Sequence, residues 1–244
     1  MQIRIIIPLL LLTISCSEVQ NSVDNDDLEE AVALGEFLNI PDQAYNYANP
    51  ELPAFFNLMP NTDEINTPGN NPVTDWGATL GRVLFYDVKL SANNTISCAS
   101  CHSQSDGFSD RSQFSEGFDG GETGRNSMGL SNSMYYENGH FFWDERAESL
   151  EEQVLMPIQD DVEMGLTLNE LVVKVQSQPY YPVLFGRAFG DEEINSDRIS
   201  LALSQFVRSM ITYQSKYDDG RASVNRPEDD FSNFSDIENN DKLL

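Results

Sequence analysis

The sequence predicts a mainly α-helical domain broken by long irregular loops. Apolar residues recur at helical spacing in several stretches, most clearly Trp76–Leu84, Leu168–Val175 and Ile199–Met210. A spacing of i, i+3, i+4 and i+7 marks one buried helix face. No stretch alternates apolar and polar residues with comparable strength, as a half-buried strand would. Ser103 to about Asn132 is rich in Gly, Ser and Asp and has little periodicity. Unstructured connections of that length in a compact domain are usually functional or disordered.

Taken in order, residues 1–16 read as an export signal. Arg4 supplies the positive start, and Ile5 to Leu12 is an apolar run too short to span a bilayer. Thr13-Ile14-Ser15-Cys16 then resembles a lipobox, with Cys16 as the residue to be lipidated and Thr13 in place of the usual aliphatic residue. The expected location is the periplasm or cell envelope, with the membrane reached only through a lipid anchor. Residues 17–70 are a polar tether and irregular arm: Asp24-Asn25-Asp26-Asp27 is solvated, while Leu52, Phe55, Phe56 and Leu58 pack later in the arm.

The first helix is expected to start after Thr74 or Asp75, with Trp76, Leu80, Val83 and Leu84 on one face. Leu90 to Asn94 breaks it. After the glycine-rich stretch, Phe141-Phe142-Trp143 forms an aromatic patch, and a helix bearing Ala147, Leu150 and Val154 is expected to end at Pro157. Thr167 and Glu170 have capping-box spacing at the head of a helix that Pro179 closes. A short helix runs to Phe189 with Gly190 as its cap. The clearest helix spans about Asp197 to Tyr213, and Arg226 to Asp241 reads as an acidic, Asn-rich linker.

Composition bounds the function. The chain has 244 residues and a formal net charge of -26. That charge argues against nucleic acid as a partner, because phosphates would be repelled. It fits a solvated acidic surface, and also attraction of a basic redox partner.

The chemistry centres on Cys98-Ala99-Ser100-Cys101-His102. C-x-x-C-H is the attachment sequence of a c-type haem: two thiols add to the vinyl groups and the imidazole ligates the iron. A disulfide or half a zinc site are the rival readings. Zinc would need two further ligands, and Cys16 is the one remaining cysteine.

Around this motif lie Leu80-Gly81-Arg82-Val83-Leu84-Phe85, Phe142-Trp143-Asp144-Glu145-Arg146-Ala147, and Leu150-Glu151-Glu152-Gln153 through Pro157 to Val162-Glu163-Met164. In this order and spacing they resemble the bacterial di-haem cytochrome c peroxidases and their MauG-type relatives. The resemblance implies a cytochrome-c-like haem domain over residues 71–216, with 217–244 leading to a second haem domain. It implies covalent haem c, hydrogen peroxide as substrate, and a small cytochrome c or cupredoxin as electron donor. A homodimer is a further expectation.

Position by position, His102 matches the proximal iron ligand and Glu163 the distal acid–base residue. Gln153 matches a distal hydrogen-bond donor, Trp143 a tryptophan on the path between haems, and Asn126 a ligand of an interface calcium ion. Without the resemblance, Glu163 reads as an acidic loop residue, Gln153 as an exposed polar group and Trp143 as a core aromatic. Phe118 stands where many of these peroxidases carry a histidine that caps the iron until reduction, so an iron open on its distal side is expected. His140 is expected at the surface or in a hydrogen bond.

Two other functions stay in view. One is a MauG-like oxidase of protein or small-molecule substrates. The other is a mono-haem electron carrier, closed by a methionine such as Met128, Met134, Met156 or Met164. A high-spin ferric spectrum favours the enzyme and a low-spin His/Met spectrum the carrier.

Overall fold

Thr74 starts the first long helix, α1 (Asp75–Tyr86), by accepting the Gly77 N–H on its hydroxyl at 3.0 Å. The Asp75 carboxylate takes the N–H groups of Tyr47 and Ala48 at 2.9 and 2.8 Å, which ties the preceding arm to the helix start. The computed structural model describes residues 34–58 and 60–242. The expected export signal, Cys16 and the acidic run Asp24–Asp27 lie outside the described residues.

A one-turn helix, α2 (Cys98–Cys101), carries the cysteine motif. Two more short helices follow, α3 (Leu150–Gln153) and α4 (Met156–Gln159). The sequence led us to expect one helix from Ala147 to Pro157. Instead Ala147 pairs with Phe141 in an isolated bridge, and Pro157 sits in the first turn of α4. There its missing N–H costs nothing, so the proline starts a helix rather than ending one.

The remaining core helices are α5 (Leu168–Gln176), α6 (Tyr181–Phe189) and α7 (Ser196–Arg208). The Thr167–Glu170 capping box opens α5, and Gly190 at φ 86° closes α6. α7 ends at Arg208, five positions before Tyr213. There the chain leaves the helix to pair with the long loop: Asn132 N–H donates to Met210 O, and Thr212 N–H to Asn132 Oδ1, both at 2.8 Å.

α1 and α7 form the centre. A Cβ at Gly81 would lie 2.0 Å from Ala202 O, so the two backbones touch there. Leu80, Leu84, Phe85, Ile199, Ala202 and Leu203 are buried around that crossing. Each large apolar side chain buried this way contributes roughly 1.5–3 kcal/mol. At the end of α1, Asp87 Oδ2 accepts the hydroxyls of Tyr180 and Tyr181 at 2.9 and 2.8 Å, fixing α6 against it.

Where the sequence read as a linker beyond 216, the structure has α8 (Lys216–Ala222) and α9 (Asp236–Asp241), both with capping boxes. They close on Phe231, which is 1% exposed and has Tyr217 and Phe234 edge-on to it. Among the described residues only isolated β-bridges occur, at 103/109, 116/122 and 141/147. The fold is therefore mainly α, with the expected long loops.

Candidate haem site

Cys98, Cys101 and His102 face one cavity, lined also by Phe85, Ile96, Leu130, Gln153, Val154, Glu163, Met164 and Leu203. His102, Leu130, Gln153, Pro157, Glu163 and Val207 also border a larger cleft that is open to solvent. One recess thus brings together the attachment motif and two candidate distal residues that lie far from it in sequence.

The proximal side is built locally. A one-turn helix puts residues i and i+3 on one face, so both thiols point the same way. The turn is held by the Ser97 N–H, which donates to Ser100 Oγ at 3.0 Å. The loop from Ser103 onward supports the imidazole. His102 Nδ1 lies 3.0 Å from Phe108 O and 2.9 Å from Met128 O. Both partners can only accept, so Nδ1 carries the proton and Nε2 keeps its lone pair for a metal. Burial lowers the imidazole pKa, against the opposing pull of those carbonyls and Asp110. Loss of solvation likewise pushes the Cys98 thiol up to about 12, with the Cys101 sulfur adding to it. Burial raises Cys101 too. Both cysteines are free.

The distal candidates come from two short segments. Gln153 closes α3, and Glu163 sits in the turn between α4 and α5. The Glu163 carboxyl is half-buried, and its pKa is raised by burial first and by Asp160 second, with Arg146 opposing. Its backbone is tied down: the Val162 and Glu163 N–H groups donate to Asp160 Oδ1 at 2.8 and 3.0 Å. α3 is anchored by Glu151, which accepts two hydrogen bonds from the Arg208 guanidinium at 2.5 and 3.1 Å.

Trp143 and Asn126 line the outer cleft, not the inner cavity. The Trp143 side is exposed, and its indole N–H donates to Asn126 O at 2.9 Å. The Asn126 amide nitrogen donates to Ser112 O at 2.7 Å. Trp143 stands on a turn strained at both ends, with Phe142 at φ 73° and Glu145 at φ 54°. His140 is exposed at the cleft edge. Met164 lines the inner cavity, whereas Met128 supports His102 through its carbonyl.

The sequence reading missed two kinds of site residue. Phe108 and Met128 act through backbone oxygens, which leave no side-chain signal. Arg125 and Arg146 flank Asp144 with ion pairs of 2.8 and 2.9 Å at the cleft rim. As two of only 14 basic residues in an acidic chain, they carry a signal in the sequence itself.

The donor set suits haem c better than the rival readings. Among the described residues no group of three or more His, Cys, Asp or Glu side chains could hold a metal ion, so zinc finds no completed set. The cavity is largely apolar, as a porphyrin ring requires, and presents two free thiols beside an imidazole with its Nε2 lone pair available. Among the described residues no helix is long and apolar enough to cross a membrane.

Comparison with known proteins gives concordant results. The model of the family described as di-haem cytochrome c peroxidase matches residues 76–224. The chain is 36% identical over 156 residues to methylamine utilization protein MauG of Methylophilus methylotrophus, which covers 64% of this chain and 46% of that protein. It is 39% identical over 142 residues to cytochrome c551 peroxidase of Nitrosomonas europaea, covering 58% and 42%. A crystal structure of a MauG-like protein associated with microbial copper homeostasis superposes with a TM-score of 0.62 at 31% identity, over 75% of this chain and 52% of that one. The chain spans about half the length of the curated relatives it matches.

Proposed function

The chain belongs to the di-haem cytochrome c peroxidase family, and from that premise we propose that its cavity is the peroxide-reducing haem site of such an enzyme. The observation that carries this reading is the convergence of Cys98, Cys101, His102, Gln153 and Glu163 on one recess. The reaction is hydrogen peroxide plus two electrons and two protons giving two waters. Electrons come from a small cytochrome c or cupredoxin.

Haem c, when bound, supplies the redox-active iron. Cys98 and Cys101 would hold it through thioethers, and His102 would offer Nε2 to it, with Nδ1 fixed by two carbonyls. The Gln153 amide orients peroxide by hydrogen bonding. Cleaving peroxide needs a proton moved from one oxygen to the other. A half-buried carboxyl whose pKa is raised by burial holds a proton more readily than a solvated one, so it can take that proton and give it back. Trp143, on the exposed cleft rim, stands on the route by which electrons arrive. A calcium ion held in part by Asn126 Oδ1 would stiffen that rim. Export to the periplasm and a lipid anchor at Cys16 complete the reading.

The test is the full chain matured in a host that attaches c-type haem. A pyridine haemochrome is expected in the native protein and is lost in Cys98→Ala/Cys101→Ala. Glu163→Gln is expected to cut peroxide turnover by roughly 10²- to 10⁴-fold with haem content unchanged. Turnover equal to that of the native chain would remove Glu163 from the mechanism.

One observation favours a second reading, oxidation of an organic or protein substrate at the same pocket: similarity to MauG is as strong as similarity to the peroxidases. The two readings differ in reductant. Peroxide consumption that needs no reduced redox protein, only an organic co-substrate, would favour the second.

A further inference from the structure

The strongest unassigned feature is the packing of the 115–123 loop against the turn that carries Glu163. The Phe118 N–H donates to Glu163 O at 3.0 Å. Phe118 O is itself held by Asn93 Nδ2 at 2.6 Å and by Thr95 Oγ1 at 3.3 Å, so the residue is fixed from its far side. The ring lies against Gly165, where an added Cβ would sit 2.5 Å from Cε1. Gly165 adopts φ 70°, a left-handed conformation that suits glycine and turns the chain back towards α5. One residue earlier in the loop, an added Cβ at Gly117 would meet Val162 O at 1.8 Å. The Met164 carbonyl takes the Ala92 N–H at 2.8 Å. The Glu163 peptide is therefore gripped by Asp160, by Phe118 and by the segment leading to the cysteine motif.

We propose that Phe118 is a positioning residue for Glu163: its ring on Gly165 and its N–H on the Glu163 carbonyl hold the 160–165 turn so that the carboxyl enters the cavity. This rests on the acid–base reading of Glu163 and extends it. The loop then acts as a fixed wall of the pocket. The charged groups facing the carboxyl are Asp160 on its own turn and Arg146 across the cleft; the Cys98 and Cys101 sulfurs also face it, and as thioethers in the haem-loaded chain they do not titrate.

The test reads cyanide binding to the ferric, haem-loaded full chain by its visible spectrum, as a function of pH. Hydrogen cyanide must give up its proton to bind as the anion, so a base in the cavity accelerates it. Glu163→Gln is expected to flatten the pH profile. Phe118→Ala is expected to slow binding by roughly 10- to 100-fold, the cost of a small misplacement. It should also move the midpoint to lower pH, because a loosened turn lets water reach the carboxyl. Phe118→Leu, which keeps part of the ring contact, should fall between Phe118→Ala and the native chain. If Phe118→Ala yields no folded protein by circular dichroism, Phe118→Leu gives the same comparison with a smaller effect of the same sign. Added to Glu163→Gln, neither substitution should slow binding further.

A native profile in Phe118→Ala beside a flat one in Glu163→Gln would overturn the positioning role and leave the acid–base reading standing. Equal slowing by Phe118→Ala with and without Glu163→Gln would overturn it too, because the ring would then act by another route. An unchanged profile in Glu163→Gln would end the acid–base reading, and with it any role for Phe118 in aiming that carboxyl.

Discussion

The ion pair beneath α3 offers the sharpest stability test. Arg208 is 2% exposed and Glu151 18%. The guanidinium makes two bonds to Glu151 and one to Asn66 Oδ1 at 3.2 Å. Glu151→Gln keeps one acceptor but turns an amide N–H towards a cation that cannot reach water. Breaking a buried pair this way costs about 3–5 kcal/mol, and the surviving acceptor places this case near 3. With a slope of about 2 kcal/mol/M, the urea midpoint should fall by about 1.5 M. Arg208→Met should cost less, because Glu151 has a route to solvent and still accepts from Asn71 Nδ2 at 2.7 Å. Burial alone would raise the Glu151 pKa, but the Arg208 and Asn71 hydrogen bonds bring it below the ordinary glutamate value. A depressed carboxylate contributes stability that is present above the unfolded value and lost as pH falls through the folded one. The gap between native and Glu151→Gln should therefore close in acid. The assay is urea unfolding at matched haem content, at neutral and at acid pH. A larger loss in Arg208→Met than in Glu151→Gln would refute the reasoning, as would a gap that widens in acid.

Three further outcomes follow from the packing. Gly81→Ala should lower the urea midpoint by an amount equivalent to about 3 kcal/mol, the upper end for overpacking, because its Cβ would lie 2.0 Å from Ala202 O; an unchanged midpoint would mean the α1–α7 contact is looser than described. Glu163→Gln should raise the melting temperature at neutral pH and leave it unchanged in acid. A carboxyl whose folded pKa lies above its unfolded value makes stability fall as pH rises between the two, and the neutral isostere escapes that loss; a melting temperature lowered at neutral pH would count against it. Phe231→Ala empties a site that is 1% exposed and should cost roughly 3–5 kcal/mol within the α8–α9 segment. Limited proteolysis should then cut that segment faster while the haem spectrum stays native, and cleavage at the native rate would show that Phe231 does not hold it.

The proximal half of the site was legible because it is local. Five consecutive residues supply both thiols and the imidazole, and a one-turn helix suffices to align them. The long helices were legible for a similar reason: Thr74, the Thr167–Glu170 pair and Gly190 are caps whose chemistry acts within a single turn. Errors fell where tertiary contacts outweigh local preference. α7 stops at Arg208 although its apolar rhythm runs on to Met210, because Asn132 offers the backbone other partners. The stretch after 216 is acidic enough to read as a tether, yet a single aromatic, Phe231, gives two short helices something to close on.

The distal half is another kind of construction, and this explains why its residues needed the family pattern to be found. Glu163 is one of 40 acidic residues, and nothing within its own turn sets it apart. What sets it apart is the wall behind it: a glycine at φ 70°, a second glycine pressed on Val162 O, and an aromatic ring between them. Those three residues lie at 117, 118 and 165, and the glycines read as loop punctuation until the two segments are seen in contact. On the proposed function, a phenylalanine at 118 offers no nitrogen to close the iron, and its side chain can only pack against Gly165. On that reading the one residue would both leave the distal side open and stiffen its wall. If that is so, resting ferric protein should already bind small anions without prior reduction, and prior reduction should not change the rate after reoxidation. A rate that rises after a cycle of reduction and reoxidation would show that the wall moves, and the fixed-pocket account would fall.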